Sequence, residues 1–162
     1  EDGTGKSDAE SYVSVADADT YQTNHGSPTA WTGAATATKE AALRFATRWL
    51  DGQFFFVGSV KTSTQALVWP RSAAEDQEKR LRSADTVPQE IKEADAEVAL
   101  AHINGALNAS LSRGGRVESE QVGAIQVVYQ DSAGGETTYP FVRRLLRNLI
   151  RGGVGMVELA RA

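Results

Sequence analysis

The stretch with the most recognisable chemical spacing is Gly-Thr-Gly-Lys-Ser at residues 3–7, which ends like a phosphate-binding loop. Such a loop cradles phosphate with backbone N–H groups and a lysine, and its first glycine stands five positions before the Gly-Lys pair, behind a buried strand. That position would precede residue 1 here, and the neighbouring Glu1 and Asp2 would repel phosphate. We therefore predict no nucleotide site in this segment.

Residue types suited to acid–base or metal chemistry are scarce. The histidines are His25, beside a glycine that ends a predicted helix, and His102, inside a predicted long helix. Glu93 and Glu97 share a helix face, but a solvated charged face accounts for that spacing. The sequence contains no cysteine, no nucleophile elbow and no paired-histidine zinc motif. We expect no catalytic site, no cofactor and no metal.

An arginine group near the C-terminus is the stronger candidate for binding. Its spacing along a predicted helix is i, i+1, i+4 and i+8. The members of the group are Arg143, Arg144, Arg147 and Arg151. Because uncompensated like charges cost helix stability, a partner that supplies carboxylates or phosphates would relieve them. The alternative is a solvated basic helix without a partner.

The chain after this helix is the second candidate for binding. Two glycines at 152–153 release the chain from the helix with little steric restriction. The apolar side chains that follow are Val154, Met156, Val157 and Leu159. Residues 152–162 are therefore predicted to form an extended docking arm that adds to a sheet edge or lies in an apolar groove. A frayed chain end is the alternative.

The elements that must position these residues are mainly helical. Ser14 and Asp17 have capping-box spacing, which predicts a first helix to about His25. A second helix is predicted from Thr36 or Thr38. Its apolar face is formed by Ala42, Phe45, Ala46, Trp49 and Leu50, and Thr47 falls on its polar face.

Two longer segments complete the helical pattern. A helix is predicted from Gln89 to about Leu111, and another from Pro140 to about Arg151. The last helix carries an apolar face made of Phe141, Val142, Leu145, Leu146, Leu149 and Ile150. Between these helices, residues 116–130 alternate around Gly123 and predict two strands or a hairpin. The predicted fold is mainly α, a small bundle of about four helices with one β-hairpin-like element and extended termini.

Length and composition limit the organisation of the chain. At 162 residues it fits one domain, predicted to span 1–151. Apolar residues make up 41%, many of them alanine, so the core is expected to be thin and completed by partner surfaces. Net charge is −4, with an acidic start and a basic end that suit head-to-tail contacts between copies. No apolar run is long enough to span a membrane.

Several segments spread along the chain resemble a family of tailed-phage proteins. These segments are residues 1–5, 11–14, 18–21, 65–71 (Gln-Ala-Leu-Val-Trp-Pro-Arg), 87–92 and 122–129. Members are often labelled as resembling a primosomal single-stranded-DNA-binding protein, whereas their architecture resembles the head–tail adaptors of tailed phages. The charged stretch at 75–80 departs from the family pattern.

The resemblance implies a structural virion protein in the neck between capsid and tail, assembled in the host cytoplasm. Its implied partners are the portal protein, the next tail or neck protein, neighbouring copies in a twelve-fold ring, and double-stranded DNA passing through the channel; no membrane is implied. A single-stranded-DNA-binding replication accessory is the alternative, and it would need exposed rings in a basic groove. We expect instead that Trp69 turns inward and that residues 65–71 act as a structural clamp.

Overall fold

The computed structural model describes residues 1–105, 119–122, 125–128 and 140–151. Within these residues the elements in chain order are α1 (Val15–Asn24), α2 (Thr29–Thr32), α3 (Thr36–Gln53), β1 (Ser59–Val60), β2 (Arg71–Ser72), α4 (Gln89–Ile103), β3 (Ser119–Val122), β4 (Ile125–Val128) and α5 (Pro140–Leu146). The predicted class, mainly α with a hairpin, is confirmed, and the single turn α2 is an additional element. None of the described helices is long and apolar enough to cross a membrane.

The first helix begins where its capping residues predict. The Ser14 side chain accepts a hydrogen bond from the backbone N–H of Asp17 at 3.1 Å, which satisfies one of the free donors of the first turn. The helix ends at Asn24, and the ring of the following residue, His25, stacks on Tyr21. The backbone N–H of His25 donates to the carbonyls of Tyr21 and Gln22, so this residue caps the helix.

The centre of the fold is the pair α3 and α4, and helices α1, α2 and α5 pack against α4. The largest fully buried apolar side chains are Tyr12, Trp31, Leu43, Leu50, Trp69, Ile91, Val98, Leu146 and Leu149. Phe45 and Trp49 are half-buried at the edge of this core. The predicted inward face of α3 is therefore correct, except that Thr47 is also buried.

Helix α4 ends at Ile103, earlier than the predicted end near Leu111. The next residue, Asn104, caps the helix, and Gly105 follows with φ of +72°. Glycine adopts this left-handed conformation without steric cost, so it commonly follows the last turn of a helix. The rest of the predicted helix, residues 106–111, lies outside the described residues.

Helix α5 ends at Leu146, so the prediction that it continues to Arg151 is wrong. Residues 149–151 instead lie beside residues 55–57. The Val57 N–H donates to the Leu149 carbonyl at 2.9 Å, and the Arg151 N–H donates to the Phe55 carbonyl at 2.7 Å. These bonds take the place of further helical ones, although the Ile150 N–H still donates to the Leu146 carbonyl at 3.1 Å.

Two antiparallel strand pairs complete the described structure. Strands β3 and β4 pair with Ser119 opposite Val128 and Val122 opposite Ile125, which confirms the hairpin predicted around residue 123. The shorter pair joins β1 to β2. It connects the end of α3 to the loop that carries residues 65–71.

The turn before β1 requires glycine at position 58. Gly58 has φ of +73°, and a Cβ at this position would lie 2.5 Å from the Ser72 carbonyl oxygen. We expect Gly58→Ala to lower the free energy of unfolding by more than about 1 kcal/mol. Gly52→Ala is the matched control, because Gly52 lies in α3 with open space around it. Equal stabilities of the two variants in urea titrations would contradict this role.

Candidate functional site

The arginine group predicted from sequence is exposed, but it does not form one helical stripe. Arg143 and Arg144 lie in α5, whereas Arg147 and Arg151 follow its end, and all four side chains are exposed. Within the described part of the chain, no carboxylate forms an ion pair with any of them. Phe141, predicted to face the core, is 51% exposed beside them, because Val142 and Leu146 take the inward positions.

Positive charge concentrates where the C-terminal segment meets the turn before β1. The guanidinium groups of Arg71 and Arg151 both donate to the Gly58 carbonyl, at 2.8 and 2.7 Å. Burial lowers the pKa of Arg71, and the charge of Arg151 lowers it further, while Asp51 acts in the opposite direction. An approaching anion would therefore be attracted to this corner of the molecule.

The acidic start of the chain, in contrast, is largely paired internally. Ion pairs join Asp2 to Lys6 at 2.9 Å, Glu10 to Arg44 at 2.8 Å and Asp19 to Lys39 at 2.8 Å. Of the charge asymmetry predicted from sequence, mainly the unpaired positive charge at the basic end therefore remains. A partner for this chain would need to supply carboxylates or phosphates there.

The loop that resembles a phosphate-binding motif holds a carboxylate of its own chain. Backbone N–H groups of Gly3, Gly5 and Lys6 donate to the Glu1 carboxylate at 2.8, 3.0 and 2.8 Å. These hydrogen bonds lower the pKa of Glu1, although desolvation opposes them. The donors that a phosphate would use are thus occupied by Glu1.

The distinctive segment 65–71 is folded back on itself and packed inward. The Gln65 side chain accepts from the Thr62 N–H and donates to the carbonyls of Leu67 and Pro70. Trp69 precedes a cis proline and is fully buried, and its ring meets Phe56 edge-on at 5.9 Å. The prediction that this indole turns inward is confirmed.

A buried hydroxyl and a carboxylate tie this segment to α3. The Tyr12 hydroxyl donates to Asp51, and it accepts a hydrogen bond from the backbone N–H of Trp69 at 3.2 Å. The other Asp51 oxygen accepts from the Val68 N–H at 3.2 Å. Burial raises the pKa of both Tyr12 and Asp51. The segment is therefore held by specific polar contacts as well as by apolar packing.

Sequence reasoning missed the most buried titratable group. Asp95 of α4 is fully buried, and its carboxyl lies 3.0 Å from the Thr47 hydroxyl and 3.2 Å from the Ser11 hydroxyl. Burial raises the pKa of Asp95 to about 8, although these hydroxyl contacts oppose the shift. Asp95 lies four residues after Ile91 and three residues before Val98, so it falls on the same face of α4 as these two apolar residues. This spacing was the available signal of an inward position.

The charged stretch at 75–80 forms a tight turn next to the arginine group. The buried Asp76 carboxylate accepts from the N–H groups of Glu78 and Arg80 at 2.9 and 3.0 Å, and these bonds lower its pKa. Gln77 donates to the Arg147 carbonyl at 2.6 Å, which attaches the turn to the C-terminal segment.

The remaining candidates divide between described and undescribed residues. His102 of α4 stacks on Phe45 of α3, with ring centroids 4.0 Å apart. No group of three residues that could hold a metal occurs in the ranges that the structure describes. The predicted docking arm at 152–162 lies outside those ranges, with its side chains Val154, Met156, Val157 and Leu159.

These features define a mainly α-helical protein in which residues 65–71 are packed inward and the arginine group is exposed. The model of the family described as "Putative DnaT-like ssDNA binding protein" matches residues 1–162, and the chain belongs to this family. Comparisons with curated proteins and with solved structures found no match.

Proposed function

We propose that this protein is a head–tail connector of a tailed phage, a non-enzymatic subunit of a ring between the portal and the tail. The burial of Trp69 is the observation that carries the proposal. A base-stacking protein presents aromatic rings to solvent in a basic groove. In this protein residues 65–71 pack inside the fold, as expected of a structural subunit.

In this role the exposed arginines contact carboxylates of the portal or of a neighbouring copy, and the 152–162 arm docks on the portal. Within the described residues, no ion pair involves Arg143, Arg144, Arg147 or Arg151, and all four are exposed, which supports such contacts. The net charge of −4 suits a channel wall, because phosphate contacts dominate affinity for DNA and transit requires little affinity. The complex would reside in the virion neck and bind the next tail or neck protein on its other side.

Deleting residues 153–162 should leave a folded subunit that no longer attaches to portal-bearing heads. In this proposal the arm supplies the apolar side chains that dock on the portal, so its loss removes the anchor. Cosedimentation of labelled protein with purified heads measures the attachment. Arg48→Glu is the control, because Arg48 is an exposed cation on α3, outside both the arginine group and the arm, and the variant should attach normally. Unchanged occupancy by the deletion variant would contradict the arm's role.

A second candidate function is single-stranded DNA binding, which the family description and one structural feature favour. Phe55 is 84% exposed, and its carbonyl accepts from the Arg151 N–H. An exposed ring on a segment bonded to the backbone of an arginine is the kind of feature on which a base can stack. Filter-binding titrations test this function: micromolar affinity at physiological salt, with a steep salt dependence and loss of binding in Phe55→Ala, would favour it over the connector.

A further inference from the structure

Two guanidinium groups meet at one backbone oxygen, and nothing in the described part of the chain neutralises them. Nη2 of Arg71 and Nη2 of Arg151 donate to the Gly58 carbonyl at 2.8 and 2.7 Å. Neither arginine forms an ion pair within the described residues. The carboxylate of Asp51 acts on Arg71, but both of its oxygens already accept hydrogen bonds within the fold. Because like charges repel at this separation, an anion placed between the two arginines would stabilise them.

The side chain of Arg71 is held in a fixed orientation. Its Nε donates to the Val57 carbonyl at 2.6 Å and its Nη1 to the Val68 carbonyl at 3.3 Å, in addition to the bond from Nη2. A guanidinium has five N–H donors, so each terminal nitrogen keeps one N–H that the described residues do not use. Arg71 is also partly exposed, so a ligand can approach it from solvent. A group that is fixed before its ligand arrives loses little conformational entropy on binding.

The position of Arg151 is set by the pairing of residues 149–151 with residues 55–57. The Arg151 N–H donates to the Phe55 carbonyl at 2.7 Å, and the Leu149 carbonyl accepts from the Val57 N–H at 2.9 Å. The Arg151 side chain is exposed, and its Nη2 reaches the carbonyl that Arg71 also uses. The fold therefore brings two arginines from distant parts of the chain to one point, one of them fixed and the other open to solvent.

The charges around this arginine pair favour a single carboxylate over a phosphate backbone. Guanidinium groups bind both kinds of oxyanion. The chain as a whole carries a net charge of −4, which disfavours the approach of a polyanion. The turn at 75–80, which Gln77 attaches to the Arg147 carbonyl, holds more carboxylates than cations. Such a turn would repel a long phosphate backbone more than it would repel one acidic side chain.

We propose that Arg71 and Arg151 together bind a carboxylate from an acidic peptide segment of another protein. Arg71 is the fixed part of this site, and Arg151 supplies its second cation. The inference deepens the connector proposal and rests on it for the origin of the peptide, which is the portal or a neighbouring copy. It adds Arg71, which lies outside the arginine group predicted from sequence, and it separates Arg151 from the other members of that group.

The test measures binding of two labelled probes to the intact chain by fluorescence anisotropy at physiological salt. The probes are a hexaglutamate peptide and a short oligothymidylate of similar charge. We expect the wild type to bind the peptide, and Arg151→Gln to weaken this binding by about tenfold. Arg144→Gln is the matched control, because it removes the same charge from an exposed arginine outside the site. This control should weaken binding by about twofold at most.

Arg71→Lys separates the geometry of the site from its charge. Lysine keeps the positive charge but has no planar fork of donors, so peptide binding should again fall by about tenfold although the net charge is unchanged. Arg71 also holds three backbone carbonyls, so circular dichroism and urea titration must show that this variant is folded. Arg151→Gln leaves those three bonds in place and tests the site even if Arg71→Lys does not fold.

Three outcomes would overturn the proposal. Equal losses in Arg144→Gln and Arg151→Gln would mean that diffuse surface charge attracts the peptide. A wild type that does not bind hexaglutamate at millimolar protein concentration would mean that the two arginines form no carboxylate site. Tighter binding of the oligothymidylate, lost in Arg151→Gln, would assign the site to phosphate and favour the second candidate function. None of these measurements uses heads, so failure of the wild type to attach to heads is the separate sign against the connector function.

Discussion

Trp69→Ala should lower the free energy of unfolding by about 3–5 kcal/mol, the range observed for large aromatic truncations in cores. The indole is fully buried and meets Phe56 edge-on, so its removal leaves a cavity beneath residues 65–71. The contacts of Val68 and Trp69 N–H groups with Asp51 and Tyr12 limit how far the segment can collapse into that cavity. Urea titrations followed by circular dichroism measure the loss.

Trp69→Phe is the matched variant for this prediction. Phenylalanine keeps an aromatic contact with Phe56 and removes the indole N–H, which has no acceptor among the described residues. The loss of stability should therefore be clearly smaller than for alanine. If Trp69→Ala instead folds with wild-type stability and loses DNA binding, the segment is a binding element and the clamp interpretation is wrong.

The beginnings of the helices were predictable because local chemistry decides them. Ser14 and Asp17 supply a capping pair, and Pro88 and Pro140 have the fixed φ that a first turn requires. The inward face of α3 also followed from its apolar spacing. These features depend on residues within one or two turns of each other, which the sequence displays directly.

The ends of α4 and α5 were harder to predict, for two different reasons. Asn104-Gly105 is a local stop signal that the continuing apolar pattern obscured. The end of α5 has no such signal, because residues 149–151 leave the helix to pair with residues 55–57. That pairing joins parts of the chain far apart in sequence, so helical periodicity around Leu149 predicted the wrong structure.

The arginine group shows the same limit at the candidate site. Sequence identified Arg143, Arg144, Arg147 and Arg151 and their lack of local acids, and the structure places all four at the surface. Their arrangement depends on the end of α5 and could not be predicted from spacing alone.

Asp95 and Thr47 show how a buried polar pair escapes pattern analysis. Spacing puts Thr47 on the predicted polar face of α3, yet its hydroxyl joins Asp95 across the α3–α4 interface. Ser11 contacts the same carboxyl and also the Val13 carbonyl, at 3.0 Å. A serine hydroxyl has one proton, so both contacts are satisfied together when Asp95 is protonated and donates to Ser11.

A protonated Asp95 predicts an unusual dependence of stability on pH. Burial raises its folded-state pKa to about 8, from an ordinary value of 3.8. Between these values the folded protein keeps the proton and the unfolded chain releases it, so Asp95 makes the protein less stable as pH rises. The contribution of Asp95 to the free energy of unfolding should fall by about 1.4 kcal/mol per pH unit between pH 5 and 7. This decline should end above pH 8.

Asp95→Asn isolates this contribution, because asparagine does not titrate. Burial also raises the pKa of Asp51, so the wild-type slope contains a second contribution of the same sign. The difference in unfolding free energy between wild type and Asp95→Asn, measured in urea at pH 5, 6 and 7, removes it. We expect the stability of Asp95→Asn relative to the wild type to increase steadily as pH rises. The control Asp8→Asn, at an exposed position, should follow the wild type at every pH. Parallel curves for wild type and Asp95→Asn would mean that Asp95 is ionised in the folded protein, and that the Ser11 hydroxyl donates to its carboxylate at the expense of the Val13 carbonyl.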